Sequence, residues 1–211
     1  LPSNFCIGVL YLQQGYIRLP PLTLVWLYKA EQNIDKNIYW LRYDALNNCM
    51  IEGKISVTWD KNDYESLEYQ THPNIRRGYS STASESPHLD ITHDICYKIP
   101  NSISSCLDTF NLRSVSCQIQ RYSPGTYLPF HKDAYLTYKK FNNVGKNDRI
   151  VRIILFLHDS LPGQQLWIDD QICYGKAGNF YGWKDDCLHM AANLSESYRY
   201  NLQITGIESK Q

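Results

Sequence analysis

No stretch of this 211-residue chain is apolar for long enough to cross a bilayer, which takes roughly 18 to 20 residues. The best run, Leu19 to Leu27, is short and carries Pro20 and Pro21, so no membrane partner is expected. Net charge is missing too: 21 Lys and Arg offset 21 Asp and Glu, whereas a general nucleic-acid binder carries a basic excess. Nucleic acid is therefore not a favoured partner, and Arg76-Arg77 and Lys139-Lys140 read as solvated loop charges. There is no Cys-x-x-Cys pair. Cys6, Cys49, Cys96, Cys106, Cys117, Cys173 and Cys187 are odd in number and widely spaced, with no secretory leader ahead of them. That pattern predicts free, mostly buried thiols in a reducing cytoplasm. Internal repeats and low-complexity tracts are absent as well, and nothing specifies an oligomeric state. The chain begins at Leu1 rather than Met, which predicts a missing upstream segment.

What is present is aromatic: 13% of the residues, including 17 tyrosines and five tryptophans, a composition that favours strands. The length suits one core, so residues 1–211 are expected to form a single domain. Its first part, 1–112, is expected to supply strands, helices and a lid loop. Phe5 to Leu12 and Thr23 to Tyr28 read as strands, and Asn37 to Leu46 as a helix with a loose apolar face. From Asn74 to Pro87 neither apolar period occurs, and a loop of that length suits a lid. Asn101 to Phe110 reads as a short helix capped by Ser102, Ser104 or Ser105.

Beyond Arg113 strands and turns follow one another closely. Ser114 to Arg121 alternates like a half-buried strand; Ser123-Pro124-Gly125 turns it, and Thr126 to His131 continues. Ile150 to Leu157 is the most apolar segment. After a turn at Pro162-Gly163 come Gln165 to Asp169, Gln171 to Tyr174, Phe180 to Trp183, Cys187 to Ala191 and Arg199 to Thr205. Short strands at this spacing predict a mainly β fold with flanking helices (α+β), a double-stranded β-helix or cupin-like jelly roll over 113–206.

His131-x-Asp133 lies within this strand series, and His189 comes 189 − 133 = 56 residues later. In a strand the first two side chains point the same way. Two imidazoles and a carboxylate fill three corners of an octahedron and leave three open, the arrangement of non-haem Fe(II) oxygenases, although the donor types also suit Mn(II), Co(II) or Zn(II). A rival pair, His88-x-Asp90 with His93-Asp94 behind it, follows the serine-rich loop and has no strand in front. His88 and His93 read as surface histidines and His158 as a turn residue. Arg199 lies 199 − 189 = 10 residues past the last ligand, in phase with Asn201 and Gln203. A guanidinium turned into a half-apolar barrel is costly unless it meets an anion. A dicarboxylate cosubstrate supplies one.

Two stretches resemble the Fe(II)- and 2-oxoglutarate-dependent dioxygenase superfamily. Arg121-Tyr122-Ser123-Pro124-Gly125-Thr126-Tyr127 with His131-Lys132-Asp133 is similar to the approach to the metal in prolyl-4-hydroxylase-type enzymes. The stretch from His189 through Asn193, Ser195, Glu196 and Arg199 to Leu202 is similar to the closing motif of the aspartyl/asparaginyl β-hydroxylase and proline hydroxylase branch. The resemblance covers about 113–206. It implies that His131, Asp133 and His189 hold Fe(II), that Arg199 grips the far carboxylate of 2-oxoglutarate, and that Tyr122 lines the cosubstrate pocket. Asn201 or Arg152 would complete its polar end, unless Arg152 instead caps a strand facing solvent. Some relatives carry a cosubstrate tyrosine near the position of Phe156, so another group must replace that hydroxyl. The implied reaction consumes O2, converts 2-oxoglutarate to succinate and CO2, and hydroxylates an amino-acid side chain in a small-molecule or peptidyl substrate. Ascorbate would act as a stimulant. Tyr135, Tyr138 and Trp183 are candidates for the substrate's surroundings.

Two other functions compete. Arg199-Tyr200-Asn201-Leu202 resembles a motif of alkylated-base repair enzymes, which would imply oxidative demethylation of nucleobases. Those enzymes place a second Arg six residues on, where this chain has Thr205. The other is a non-enzymatic, cupin-like module that binds a metal and a ligand, since one barrel hosts many functions.

Overall fold

The computed structural model describes residues 38–43, 50–57, 59–71, 90–184 and 187–208. The strands expected at Phe5 to Leu12 and Thr23 to Tyr28, and the loop from Asn74 to Pro87, lie outside these residues. Five strands come first: β1 (Ile38–Tyr43), β2 (Met50–Ile55), β3 (Gln70–Thr71), β4 (Asp90–Ile91) and β5 (Asp94–Cys96). Then follow β6 (Leu112–Tyr122), β7 (Thr126–His131), β8 (Ile150–Phe156), β9 (Gln164–Ile168), β10 (Gln171–Cys173), β11 (Asn179–Lys184), β12 (His189–Asn193) and β13 (Arg199–Glu208). Short helices α1 (Asn62–Glu65), α2 (Asn101–Ser104) and α3 (Leu136–Phe141) flank them, with a 3-10 turn at Leu107–Phe110.

Among the described residues the larger sheet runs β1-β2-β11-β8-β13-β6-β5-β3 and the smaller β10-β9-β12-β7-β4. The last eight strands are thus dealt between two four-stranded layers, β11-β8-β13-β6 and β10-β9-β12-β7, with antiparallel neighbours throughout. This is the jelly roll that the strand spacing predicts. Two glycines make the return turns. Gly125, at φ 78°, closes the turn between β6 and β7, and Gly163, at φ 90°, leads into β9; L side chains avoid that region.

Packing explains why β8 is so apolar. Val151, Ile153 and Leu155 join Ile119, Leu202, Ile204 and Phe180 in one core on the outer side of the larger sheet, with Tyr64 and Ile103 laid against it. Ile154 and Phe156 belong to a second core between the sheets, with Tyr122, Leu128, Leu166 and Trp183. A strand covered on both faces has no solvent side to mark with polar residues. Each fully buried Leu, Ile or Phe contributes about 1.5–3 kcal/mol relative to exposure.

Three readings from sequence need correction. Residues 38–43 form β1 rather than part of a helix, because pairing with β2, Trp40 opposite Lys54 and Leu41 opposite Gly53, outweighs a poorly defined helical face. The helix expected over Asn101 to Phe110 breaks after Ser104 and resumes as the 3-10 turn. Pro100 precedes it with φ −61° and ψ 149°, and no serine side chain caps it. Cys96, Cys106, Cys117 and Cys173 are free, but Cys187 is disulfide-bonded, so the cysteines are not all free thiols. Burial pushes the Cys106 and Cys173 thiols up to about 12, which keeps them unreactive. Among the described residues no helix is long and apolar enough to cross a membrane.

Candidate metal centre

His131, Asp133 and His189 converge: one ligand atom from each lies within 4.8 Å of the others. β7 and β12 are neighbours and set His131 opposite His189. Their rings stand 4.2 Å apart between centroids. Asp133 is not in the strand as expected, because β7 ends at His131. It lies in the segment before α3, which the chain enters through Tyr135 at φ 52°. A tyrosine in the left-handed region is costly and is typical of functional sites.

Each imidazole is turned by a backbone carbonyl. His131 Nδ1 donates to the Pro129 carbonyl at 2.7 Å and His189 Nδ1 to that of Cys187 at 3.0 Å. In a neutral ring this places the lone pair on Nε2, the ligating tautomer. Burial lowers the His131 pKa. Burial and the neighbouring His131 together push His189 down to about 4. Both rings are therefore neutral near pH 7, as a metal ligand must be. His189 Nε2 lies 3.6 Å from Asp133 Oδ2. Two imidazole nitrogens and one carboxylate at this separation fit a divalent first-row metal with open positions.

Arg199 occupies the first position of β13, opposite Tyr122 on β6. Arg199 is 1% exposed. Nη1 donates to the carbonyls of Gln165 and, at 3.2 Å, Ala192. With the Asn201 amide oxygen turned toward it, Nε donates there at 3.2 Å. Nη2 has no acceptor, and burial lowers the pKa of the group to about 10. The Tyr122 and Phe156 rings lie 5.5 and 5.6 Å from its central carbon. Asn201 sits opposite Phe156 in register.

The turn that delivers Arg199 is built by Asn193, which is wholly buried. Its Nδ2 donates to the Tyr122 and Ser197 carbonyls, both at 2.8 Å, and its Oδ1 accepts from Ser195 Oγ at 2.7 Å. The Asn-x-Ser spacing thus ties β12, β13 and the end of β6 together.

Arg152 neither caps a solvent-facing strand nor joins Arg199. It faces inward on β8, opposite Thr205 on β13, with Nη2 3.3 Å from Asp133 Oδ2. Trp183, paired with Arg152 across β11 and β8, packs on His189 at 4.2 Å between centroids. Tyr138 donates its hydroxyl to the Ser114 carbonyl at 2.7 Å. The triad, Arg152, Arg199, Tyr122, Asn201, Trp183 and Tyr138 all line one cavity of about 800 Å³. Asp133 is the sole carboxylate among its described lining residues.

Of the rival histidines, His93 lines the same cavity without joining the cluster of ligand atoms. His88 lies outside the described residues. His93 is buried rather than on the surface: it stacks on Tyr122 with centroids 5.1 Å apart, its Nε2 3.3 Å from Gln120 Nε2. Asp94 pairs with Arg121 at 2.8 Å. His158 accepts the Tyr200 N–H at 3.0 Å at the end of β8.

No family model and no curated protein matches the chain. Solved structures do. A prolyl-4-hydroxylase from Pseudomonas putida is 15% identical, covers 71% of this chain and 97% of its own, and has a TM-score of 0.39. A viral collagen prolyl hydroxylase from Paramecium bursaria Chlorella virus-1 gives 11%, 69%, 98% and 0.42. A predicted oxalate decarboxylase from Thermotoga maritima gives 11%, 69%, 96% and 0.38. Values this low, spread over more than one activity, assign none of these activities to the chain.

Proposed function

We propose that this chain is an Fe(II)- and 2-oxoglutarate-dependent oxygenase that hydroxylates an amino-acid side chain, free or peptidyl, and releases succinate and CO2. The observation that carries this reading is Arg199: a buried cation that faces no carboxylate among the described residues, with one N–H pair unmatched, in the same cavity as two neutral imidazoles and Asp133. A buried guanidinium without an anion is strongly unfavourable. A dicarboxylate that reaches from Arg199 to the metal ligands relieves it.

His131, Asp133 and His189 would hold the metal. When bound, Fe(II) supplies the activation of O2 and the oxidative decarboxylation of the 2-oxo acid. The chain does the rest. Arg199 fixes the far carboxylate, with Tyr122 and Phe156 as walls and Asn201 orienting Nε. Leu128, Ile154, Leu166 and Ala191, all lining the cavity, give the cosubstrate's methylenes an apolar bed that excludes water. The Pro129 and Cys187 carbonyls keep the Nδ1 protons in place, so both Nε2 atoms stay available. Ascorbate is expected to sustain turnover by keeping the iron reduced.

A second reading, nucleobase demethylation, has one observation in its favour. Thr205, where the repair-enzyme motif carries a second arginine, stands opposite Arg152, so a guanidinium reaches that row from the next strand. Succinate formation from 2-oxoglutarate with Fe(II), O2 and ascorbate tests oxygenase activity. Amino-acid, peptide and methylated-nucleoside pools, screened by mass for one added oxygen or one lost methyl, separate the two readings. No succinate with any pool, and none uncoupled, leaves a binding module.

A further inference from the structure

Resting on the oxygenase reading, we infer that Arg152, Trp183 and Tyr135 form a second anion site in the cavity, on the opposite side of the metal ligands from Arg199, and that the substrate is a carboxylate. The two arginines are far apart. Arg152 pairs with Thr205 and Arg199 lies 205 − 199 = 6 residues back along β13, about 20 Å at ~3.3 Å per residue. The far carboxylate held by Arg199 therefore does not reach Arg152.

Two buried donors lack acceptors in this corner, Arg152 Nε and Trp183 Nε1, and the Tyr135 hydroxyl beside them interacts with Arg152 and Asp133. Trp183 is 1% exposed, and a buried donor left unmatched is costly. They are neighbours. Trp183 is the cross-strand partner of Arg152, and the Arg152 guanidinium lies 5.1 Å from the Tyr135 ring centroid. All three line the cavity.

Charge counting points the same way. With metal and cosubstrate bound, Asp133 and one carboxylate of 2-oxoglutarate offset the dication, and the other carboxylate offsets Arg199. Arg152 then has only Asp133, which it shares with the metal, because Asp133 is the sole carboxylate among the described lining residues. A substrate carboxylate on Arg152, accepting also from Trp183 Nε1, matches both donors, with Tyr135 beside them. It also places the adjoining carbons beside the metal ligands, since Trp183 packs on His189 and Arg152 touches Asp133. The substrate class is thus an amino acid with a free carboxylate, or an acidic or C-terminal residue of a peptide.

The probe is acetate, with acetamide as its uncharged isostere, titrated into the protein loaded with Zn(II) and 2-oxoglutarate. The Trp183 indole N–H is read by NMR and assigned by its loss in Trp183→Phe. Acetate is expected to shift that signal saturably, acetamide to bind at least tenfold more weakly, and Arg152→Gln to abolish the acetate shift while still binding both Zn(II) and 2-oxoglutarate. No shift, equal shifts from the two probes, or an unchanged shift in Arg152→Gln overturns the site. A parallel titration without metal and cosubstrate keeps the two proposals apart. If 2-oxoglutarate fails to bind but acetate still shifts Trp183, the oxygenase reading falls and the anion site stands; if 2-oxoglutarate binds and acetate is silent, the reverse holds.

Discussion

The two faces of the strands β8 and β13 do different work. On the outer face Val151, Ile153, Leu155, Leu202 and Ile204 are apolar, buried and matched by apolar neighbours. On the inner face the same strands present Arg152, Arg199, Asn201, Gln203 and Thr205 to the cavity. The outer face packs apolar groups, whereas the inner face, where Ile154 and Phe156 also pack, keeps polar groups in a place where they cost stability. The alternation of a strand lets both share a single backbone, so a change at one position can leave its neighbour's task untouched.

The largest expected effect is on the metal. Asp133→Ala should weaken Co(II) or Fe(II) binding by more than about 100-fold, beyond the 10- to 100-fold cost of losing an outer-shell partner. His88→Ala should leave it unchanged; isothermal titration of both variants decides which His-x-Asp pair binds. Next comes the contrast between faces, read by urea unfolding. Leu202→Ala, a cavity in the outer core, should cost about 2–5 kcal/mol. Arg199→Met, the removal of a buried unpaired charge, should be neutral or stabilise by about 1–4 kcal/mol. An Arg199→Met variant as unstable as Leu202→Ala would mean that the inner face is structural as well.

A smaller effect appears with pH. The folded protein holds His189 near 4 against an ordinary 6.5, so between those values the unfolded chain binds more protons. Stability of the metal-free protein should therefore fall as pH drops from about 6.5 toward 4, by at most about 3 kcal/mol at ~1.4 kcal/mol per pH unit. His189→Gln should flatten that slope in thermal unfolding followed from pH 7 to pH 4. A slope that survives the substitution assigns the titration to another group.

Much of this was legible in the sequence because the jelly roll is local in its signals. Alternation marked β6 and β13, the apolar run marked β8, and Ser123-Pro124-Gly125 and Pro162-Gly163 marked turns that the backbone makes. The phase of Arg199 with Asn201 followed from period two alone. Other features depend on partners far along the chain. β1 is a strand through its pairing with β2, which no local pattern announces. Arg152 has the same inward phase as Ile154, but its place beside Asp133 comes from the register of β8 on β13 and from the chain reversal at Tyr135. The helix α3 is six residues long, too short for an apolar period to emerge. His93 looks like a surface residue in sequence because its burial against Tyr122 and Gln120 is a tertiary contact. Trp183 was named only for the substrate's surroundings. Its stacking on His189 and its unmatched N–H became visible only when β11 and β12 were brought together.

The most direct test of the account is anaerobic binding of 2-oxoglutarate to the Co(II)-loaded protein, wild type against Arg199→Met. The account predicts metal-dependent binding in the wild type and a loss of about 2–5 kcal/mol in the variant, the usual effect of truncating one partner of a buried charge pair, with Co(II) affinity unchanged. Equal affinity in the two proteins, or binding that ignores the metal, would contradict it.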